Sequence, residues 1–174
     1  LKIYVDGVRS DVANNGKNAY TAMSNTTYPL EISKFANTNI DEVSIFNTEL
    51  TQTNITDIYN LGTPTDISAM SGLVSWWRMG DNDTYPTITD VVGSNNGTMT
   101  NMSAANFVAD VPPSPFTNTL STTFDANDAS VSLVSDILLG TTSSVSFWIK
   151  RNDTAIAQPL GCVTAWGDFL VRLQ

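Results

Sequence analysis

The stretch that decides the fold is Ile40-Asp41-Glu42-Val43-Ser44-Ile45-Phe46-Asn47, followed by Leu50-Thr51-Gln52-Thr53-Asn54-Ile55-Thr56-Asp57-Ile58-Tyr59-Asn60-Leu61-Gly62. In its first part, Val43 and Ile45 share one face while Glu42 and Ser44 share the other, the alternation of a half-buried β-strand. Adjacent residues of a strand point to opposite faces, so the same pattern predicts that the carboxylates of Asp41 and Glu42 point apart.

The second part of the stretch predicts a short helix near 51–61. Thr51 can cap the helix with its hydroxyl, and Asn54 stands where a capping box would carry Glu or Gln. An apolar stripe follows at helical spacing, formed by Ile55, Ile58 and Tyr59. Gly62 supplies a left-handed residue past the end, and Pro64 prevents continuation.

Composition limits the function classes. The 174 residues are 41% hydrophobic, enough to bury a core as one domain or two small ones. Eight basic residues against 17 acidic ones give a formal net charge of -9. Such a surface repels nucleic acid and anionic membranes, so we expect neither as a partner and no membrane insertion. It can collect divalent cations, although an acidic exterior needs no ligand to explain it.

The inventory of reactive side chains is short. Cys162 is the single cysteine and there is no histidine, which excludes an internal disulfide, Cys/His zinc sites, Ser-His-Asp triads and Cys-His dyads. No apolar run is long enough to span a bilayer, and no signal peptide is apparent. Strand-like patterns at 1–5 and 169–174 lead us to expect an interior fragment of a longer protein.

The rest of the chain predicts many short strands. Asp6-Gly7 is a preferred hairpin turn. In the run 73–79, a strand would point Trp76 and Trp77 to opposite faces. Residues 112–115, Pro-Pro-Ser-Pro, form a stiff connector. Further strand patterns occur at 122–125, 129–133 and 145–150. We therefore expect an all-β chain, a two-sheet antiparallel sandwich of jelly-roll type with one short helix.

Two pieces of the chain resemble the laminin-G-like, concanavalin A-like jelly-roll family in its bacterial and phage form. Residues 1 to 67 resemble the closing half of such a module: the strand before Asp6-Gly7, the Ile40-Asp41-Glu42-Val43 strand and the helix ending at Gly62. The second piece starts at 73 and resembles the opening half. It is carried by Leu73-Val74-Ser75-Trp76-Trp77-Arg78-Met79, Asp90 with Gly93 and Asn96-Gly97-Thr98, Phe124-Asp125, and Phe147-Trp148-Ile149-Lys150.

The order of the pieces bears on domain organisation. A closing half at 1–67, a linker at 68–72 and an opening half at 73–174 indicate the junction of two tandem modules. Half a sandwich exposes unpaired sheet edges, so each half would take partner strands from outside the segment. A single permuted module is the alternative.

The run 76–112 is similar to linkers between such modules in structural proteins of marine tailed bacteriophages. The resemblance implies a non-enzymatic structural or attachment component at the virion surface, a fibre or capsid decoration. Its partners would be other virion proteins, copies of itself or a host-surface glycan. The alternative is a secreted or cell-surface bacterial lectin or adhesin with tandem modules. A third interpretation is an accessory domain of a glycan hydrolase.

Enzyme activity is not expected from the carboxylates. Glycan hydrolases need two carboxylates roughly 5 to 10 Å apart across the sugar bond. Asp41 and Glu42 are predicted to point apart, and no spaced Glu-x-Asp-x-x-Glu pattern is present. Because fold alone does not confer function, we expect no catalytic site here.

Ligand candidates come from the family's acidic positions and from aromatic residues. Many relatives bind calcium through Asp side chains, so the resemblance implies calcium candidates that do not form one single site: Asp41, Asp90, Asp125 and Asp128. Turn-forming aspartates are the alternative interpretation. Sugar binding would use Trp148 and Trp166, although tryptophan in a sandwich strand is more often core.

Overall fold

The computed structural model of the chain describes residues 2–10, 29–33, 37–125, 128–133, 137 and 142–152, together with the backbone of the strands at 157–161 and 170–173. The strands are β1 (Tyr4–Val5), β2 (Val8–Arg9), β3 (Glu31–Ile32), β4 (Thr38–Phe46), β5 (Leu73–Trp77), β6 (Thr87–Ile88), β7 (Gly97–Thr100), β8 (Phe107–Val108), β9 (Ser121–Phe124), β10 (Ser130–Leu133), β11 (Ser144–Arg151), β12 (Ala157–Gly161) and β13 (Leu170–Leu173). The helix α1 spans Gln52–Tyr59, and 3-10 turns span Asn60–Gly62 and Ala104–Asn106.

The strands form two large sheets and one small hairpin. One sheet has the order β13-β12-β3-β10-β7-β6, and the other has the order β11-β4-β9-β8 with β5 also paired to β4. Every pairing between these strands is antiparallel. The expected class, β-rich with antiparallel sheets and one short helix, is confirmed.

The hairpin β1–β2 turns where the sequence predicts it. Asp6 and Gly7 have φ values of 50° and 75°, the left-handed pair that a two-residue turn requires. A Cβ on Gly7 would lie 2.8 Å from Cδ1 of Tyr59, so the turn is pressed against the ring of a helical side chain. The hairpin therefore needs glycine both for its backbone angle and for its packing on α1.

Strand β4 is the central strand of its sheet. It pairs with β11 along one edge, and with β9 and β5 along the other. In the other sheet β3 lies between β10 and β12. Each of these pairings joins the segment 1–67 to the segment 73–174, as one permuted module would have it. The assignment of the two segments to successive modules of a longer chain, joined by a linker at 68–72, stays a prediction.

The prediction that β4 is half-buried is wrong. All nine of its residues are buried. One face lies on the main core, and the other packs against the second cluster, to which α1, Trp76 and Phe116 contribute. Glu42 and Ser44 are buried too. The polar residues of the alternation are therefore buried as well: Glu42 is bonded to Trp76 and Arg78, whereas Ser44 Oγ has no hydrogen-bond partner among the described residues.

Two apolar clusters stabilise the fold. Residues of both sheets contribute to the main core: Ile32, Ile40, Val43, Ile45, Trp77, Met79, Ile88, Met99, Phe124, Ala129, Val131 and Leu133. The second cluster lies under α1 and contains Phe46, Leu50, Ile58, Ile67 and Trp76. The two tryptophans of β5 thus lie in different clusters, which confirms the prediction that they point to opposite faces.

The helix begins as the sequence predicts. Thr51 Oγ1 accepts the N–H of Asn54 at 3.2 Å, and Asn54 Oδ1 accepts the N–H of Thr51 at 3.0 Å, so the capping box is complete. The helix ends at Tyr59, because Asn60 takes the left-handed conformation with φ 39°. The left-handed Gly62 follows two residues later, so α1 ends earlier than the glycine indicates.

Candidate functional site

A bulge in β4 places two adjacent carboxylates in one buried network. Three residue steps on β4, from Asp41 to Ser44, match only two steps on β11. Glu42 has φ 51°, a strained left-handed backbone conformation for a residue other than glycine. The extra residue lets Ile40 and Val43 both reach the main core.

The prediction that Asp41 and Glu42 point apart is therefore wrong. Strict alternation does not cross a bulge, because the inserted residue shifts the sides on which the following side chains lie. Asp41 Oδ1 accepts the backbone N–H of Glu42 at 3.0 Å, and both carboxylates join contacts on the side of Arg78 and residues 116–119.

Arg78 is the cation of this network. Its Nε donates to Oε1 of Glu42 at 3.1 Å, and its Nη2 donates to Oδ2 of Asp81 at 3.1 Å and to the carbonyl oxygen of Thr117. The guanidinium carbon lies 4.5 Å from the ring centroid of Phe116. Arg78 thus combines two ion pairs with an aromatic contact in a site from which water is largely excluded.

Strand β5 and the chain near 118 complete the network. The indole Nε1 of Trp76 donates to Oε2 of Glu42 at 2.6 Å. Asn118 Nδ2 donates to Oδ2 of Asp41 at 3.0 Å. Asp81 accepts both the N–H and the hydroxyl of Thr119, the latter at 2.5 Å. We call Asp41, Glu42, Arg78 and Asp81 the charged quartet.

Burial disfavours the ionisation of Asp41 and Glu42. Burial raises the pKa of Asp41 to about 7, with the charge of Asp81 adding to it and the bond from Asn118 opposing it. Burial and the charge of Asp41 raise the pKa of Glu42 to about 8, against the opposing effect of Arg78. The two carboxylates titrate as a coupled pair, and at neutral pH burial favours a pair that retains a proton.

The carboxylates of the quartet are buried and make their hydrogen bonds to other parts of the protein. Asp41 and Glu42 are 2% and 5% exposed, and both are bonded to protein donors. A pair of carboxylates that hydrolyses a glycan must face the sugar bond from two sides. These two face Arg78, Trp76 and Asn118 instead.

Asp90, one of the calcium candidates, organises a loop. Its carboxylate accepts four backbone N–H groups, from Trp76, Val92, Gly93 and Asn95, at 3.0 to 3.3 Å. A Cβ on Gly93 would lie 2.5 Å from Oδ2 of Asp90, so the loop closes tightly around the carboxylate. Its oxygens point at donors, which is the arrangement of a turn-forming aspartate and does not fit a calcium ligand.

The other calcium candidates also contact donors. Asp41 belongs to the quartet, and Asp125 Oδ1 accepts the side-chain N–H of Asn106 at 3.1 Å. The exposed Asp128 offers its carbonyl oxygen to Asn101 at 3.3 Å. Within the described part of the chain, no three Asp, Glu, Cys or His side chains are placed to hold a metal ion. Calcium binding stays a prediction to which these contacts lend no support.

The aromatic candidates divide into one described residue and one outside the described residues. Trp148 is half-buried on β11 and stacks on Tyr59 of α1, with ring centroids 6.1 Å apart and an interplanar angle of 16°. Trp166, like Cys162, lies outside the described residues. A sugar ring could contact only the part of Trp148 that Tyr59 leaves uncovered.

Sequence reasoning missed Arg78, Asp81 and Asn118 as members of the site. A usable indication was present in Trp76-Trp77-Arg78-Met79, where an arginine continues a strand of large apolar residues. A cation there must be paired when the strand is buried, so an acidic partner elsewhere in the chain is required. The low content of charged residues, 14%, leaves few candidates for that partner.

Among the described residues, no helix has the length and apolar character needed to cross a membrane. No protein-family model, curated protein or solved structure matches this chain.

Proposed function

We propose that this chain is a non-enzymatic structural or attachment component of a bacteriophage virion, a fibre or capsid decoration whose two sheets pack as a jelly-roll sandwich. The family resemblance of the motifs at 40–62 and 73–98 motivates the proposal. Two antiparallel sheets that share one core are compatible with it. The expected partners are other virion proteins or further copies of this chain at the virion surface.

The observation that carries the proposal is the inward orientation of the quartet. Three carboxylates in β4 and after β5 are bonded to Arg78, Trp76, Asn118 and Thr119, and all three side chains are buried. Carboxylates used in this way hold strands together and are not presented to a substrate. That supports a scaffold role and, with it, the absence of catalysis.

The test is the protein content of purified virions of the encoding phage. Chymotrypsin is the suitable protease, because no Lys or Arg lies between Arg78 and Lys150 and trypsin would leave one long peptide. We expect peptides of this chain in a constant ratio to the other virion proteins. Their absence from virions in which those other proteins are detected would refute the proposal.

Trp148 supports a second candidate, a secreted or cell-surface lectin or adhesin. It is a half-buried aromatic residue next to Tyr59, and exposed aromatic faces are a common means of holding sugars. A glycan array probed with and without calcium distinguishes the two functions. Selective, calcium-dependent binding that Trp148→Ala abolishes favours the lectin, and absence of binding favours the structural role.

A further inference from the structure

The segment 112–120, here called the strap, contains no helix or strand and is fastened mainly to the quartet. Thr117 accepts from Arg78, Asn118 donates to Asp41, and Thr119 donates to Asp81. At its other end, Ser114 Oγ donates to the carbonyl oxygen of Pro64 at 3.0 Å. The contacts between the strap and the sheet thus depend on the charge state of buried acids.

The quartet cannot be fully ionised without strain. Asp41, Glu42 and Asp81 are all buried, and among the described residues Arg78 is the one cation bonded to this group, so ionisation of all three carboxylates would leave two negative charges without a cationic partner there. The strap residues 112–120 carry no charged side chain. On neighbouring elements, Asp83 is held by the N–H groups of Gly80 and Thr89, and Asp66 by that of Ser68.

We propose that protonation of the Asp41–Glu42 pair controls the strap, which stays closed while the pair holds a proton and opens when both carboxylates are ionised.

Asn118 is suited to report the protonation state of Asp41. Its Nδ2 donates to Oδ2 of Asp41, while its Oδ1 is buried without a hydrogen-bond partner among the described residues. A half-turn of the amide exchanges donor and acceptor, so the same contact can accept a proton from a neutral Asp41. Ionisation of Glu42 beside an ionised Asp41 adds repulsion that neither amide orientation relieves.

Opening of the strap would uncover aromatic surface. Phe116 of the strap packs against the second core cluster, with its ring centroid 6.3 Å from that of Trp76. Trp76 is 4% exposed and donates its indole N–H to Glu42. Ionisation of the pair therefore acts at the place where the strap covers a tryptophan. The raised pKa values of Asp41 and Glu42 put the transition between about pH 7 and 8.

Chymotryptic cleavage of the Phe116–Thr117 bond tests the proposal. The rate is followed by peptide mass spectrometry from pH 6 to pH 9, and normalised at each pH to an unstructured Phe-Thr peptide. For the wild-type chain we expect an increase of about tenfold or more across this range. Cleavage after Phe46, which is buried in β4, reports global unfolding and should remain much slower than cleavage after Phe116 at every pH.

In the variants Glu42→Gln and Asp41→Asn only one carboxylate of the pair can ionise. Their normalised cleavage rates should therefore change by less than about twofold between pH 6 and pH 9. Asp110→Asn, which neutralises an exposed carboxylate paired with Lys150, is the matched control and should retain the wild-type increase. A flat wild-type profile, cleavage after Phe46 as fast as cleavage after Phe116, or wild-type behaviour in both quartet variants would overturn the proposal.

A nuclear magnetic resonance titration of the wild-type chain decides the question if the quartet variants fail to fold. The indole N–H resonance of Trp76, assigned from the spectrum of Trp76→Phe, should shift with a midpoint between about pH 7 and 8. A resonance that stays constant from pH 6 to pH 9 contradicts the proposal.

Discussion

The indole N–H of Trp76 donates a 2.6 Å hydrogen bond to Oε2 of Glu42, and both side chains are buried. The two residues lie 34 positions apart, one in the segment 1–67 and the other in the segment 73–174. A charged acceptor strengthens such a bond, and burial makes its loss costly. The acidic residue Glu42 of β4 therefore serves to bind the segment 1–67 to the segment 73–174.

Replacing the cation of the quartet should destabilise the fold strongly. Arg78→Met leaves Glu42 and Asp81 buried without their guanidinium, and we expect a loss of about 3–5 kcal/mol in the free energy of unfolding. Urea denaturation at pH 7 measures the change. Lys150→Met is the control, because its ion pair with Asp110 is exposed and is worth at most about 1 kcal/mol. Equal losses in the two variants would contradict the structural role of Arg78.

The fold should become less stable as the pH rises through neutrality. The pKa values of Asp41 and Glu42 in the folded state, about 7 and about 8, exceed the ordinary values of 3.8 and 4.5. Between these limits the folded state binds more protons than the unfolded state, so the stabilisation is complete below about pH 4 and is lost as the pH rises through about 8.

The urea midpoint at pH 5, 7 and 9 measures this dependence. We expect the midpoint of the wild-type chain to fall steadily, and that of Glu42→Gln to fall less, because the buried Asp41 still titrates in the variant. The carboxyl pKa values of Glu49 and Asp66 are lowered by their partners, so these groups titrate below this window. A wild-type midpoint that rises from pH 5 to pH 9 would show that the quartet prefers full ionisation.

Asp90 should contribute to stability without calcium. Asp90→Asn places an amide donor against N–H groups that now donate to a carboxylate oxygen, and we expect a loss of about 1–3 kcal/mol. The loss should be the same in EDTA and in calcium, as measured by thermal denaturation. Stabilisation of the wild-type chain by calcium, absent in Asp90→Asn, would instead support the calcium site that the family resemblance implies.

The capping box of α1 should be worth about 1 kcal/mol. Thr51→Ala removes the acceptor of the Asn54 N–H, an effect of about 0.5–2 kcal/mol at helix starts. Thr53→Ala is the matched control, because Thr53 is an exposed residue inside the helix and alanine is the better helix former. Chemical denaturation should separate the two variants, and equal midpoints would contradict the role assigned to Thr51.

Features set by neighbouring residues could be predicted from the sequence. The turn at Asp6-Gly7, the capping box of Thr51 and Asn54, and the separation of Trp76 from Trp77 all follow from local backbone geometry. Each of these three features is determined by a few consecutive residues. Contacts with distant parts of the chain therefore leave it unchanged.

Features set by distant contacts could not be predicted in this way. The bulge at Glu42 violates the period-two pattern, and its strained backbone is held by partners such as Arg78, 36 positions away. The burial of the second face of β4 depends on the strap, which the sequence marks only as a proline-rich connector. The pairing of the segment 1–67 with the segment 73–174 also depends on long-range contacts, so local sequence patterns do not predict it.

A double-mutant cycle between Glu42 and Arg78 is the most direct test of pairing between the two segments. The free energy of unfolding is measured for the wild-type chain, Glu42→Gln, Arg78→Met and the double variant, at several protein concentrations. Pairing within one chain predicts a coupling energy of about 0.5–3 kcal/mol and a midpoint independent of concentration. Additivity within about 0.3–0.5 kcal/mol would show that the two side chains do not interact, and a concentration-dependent midpoint would show that the partner strands come from another copy.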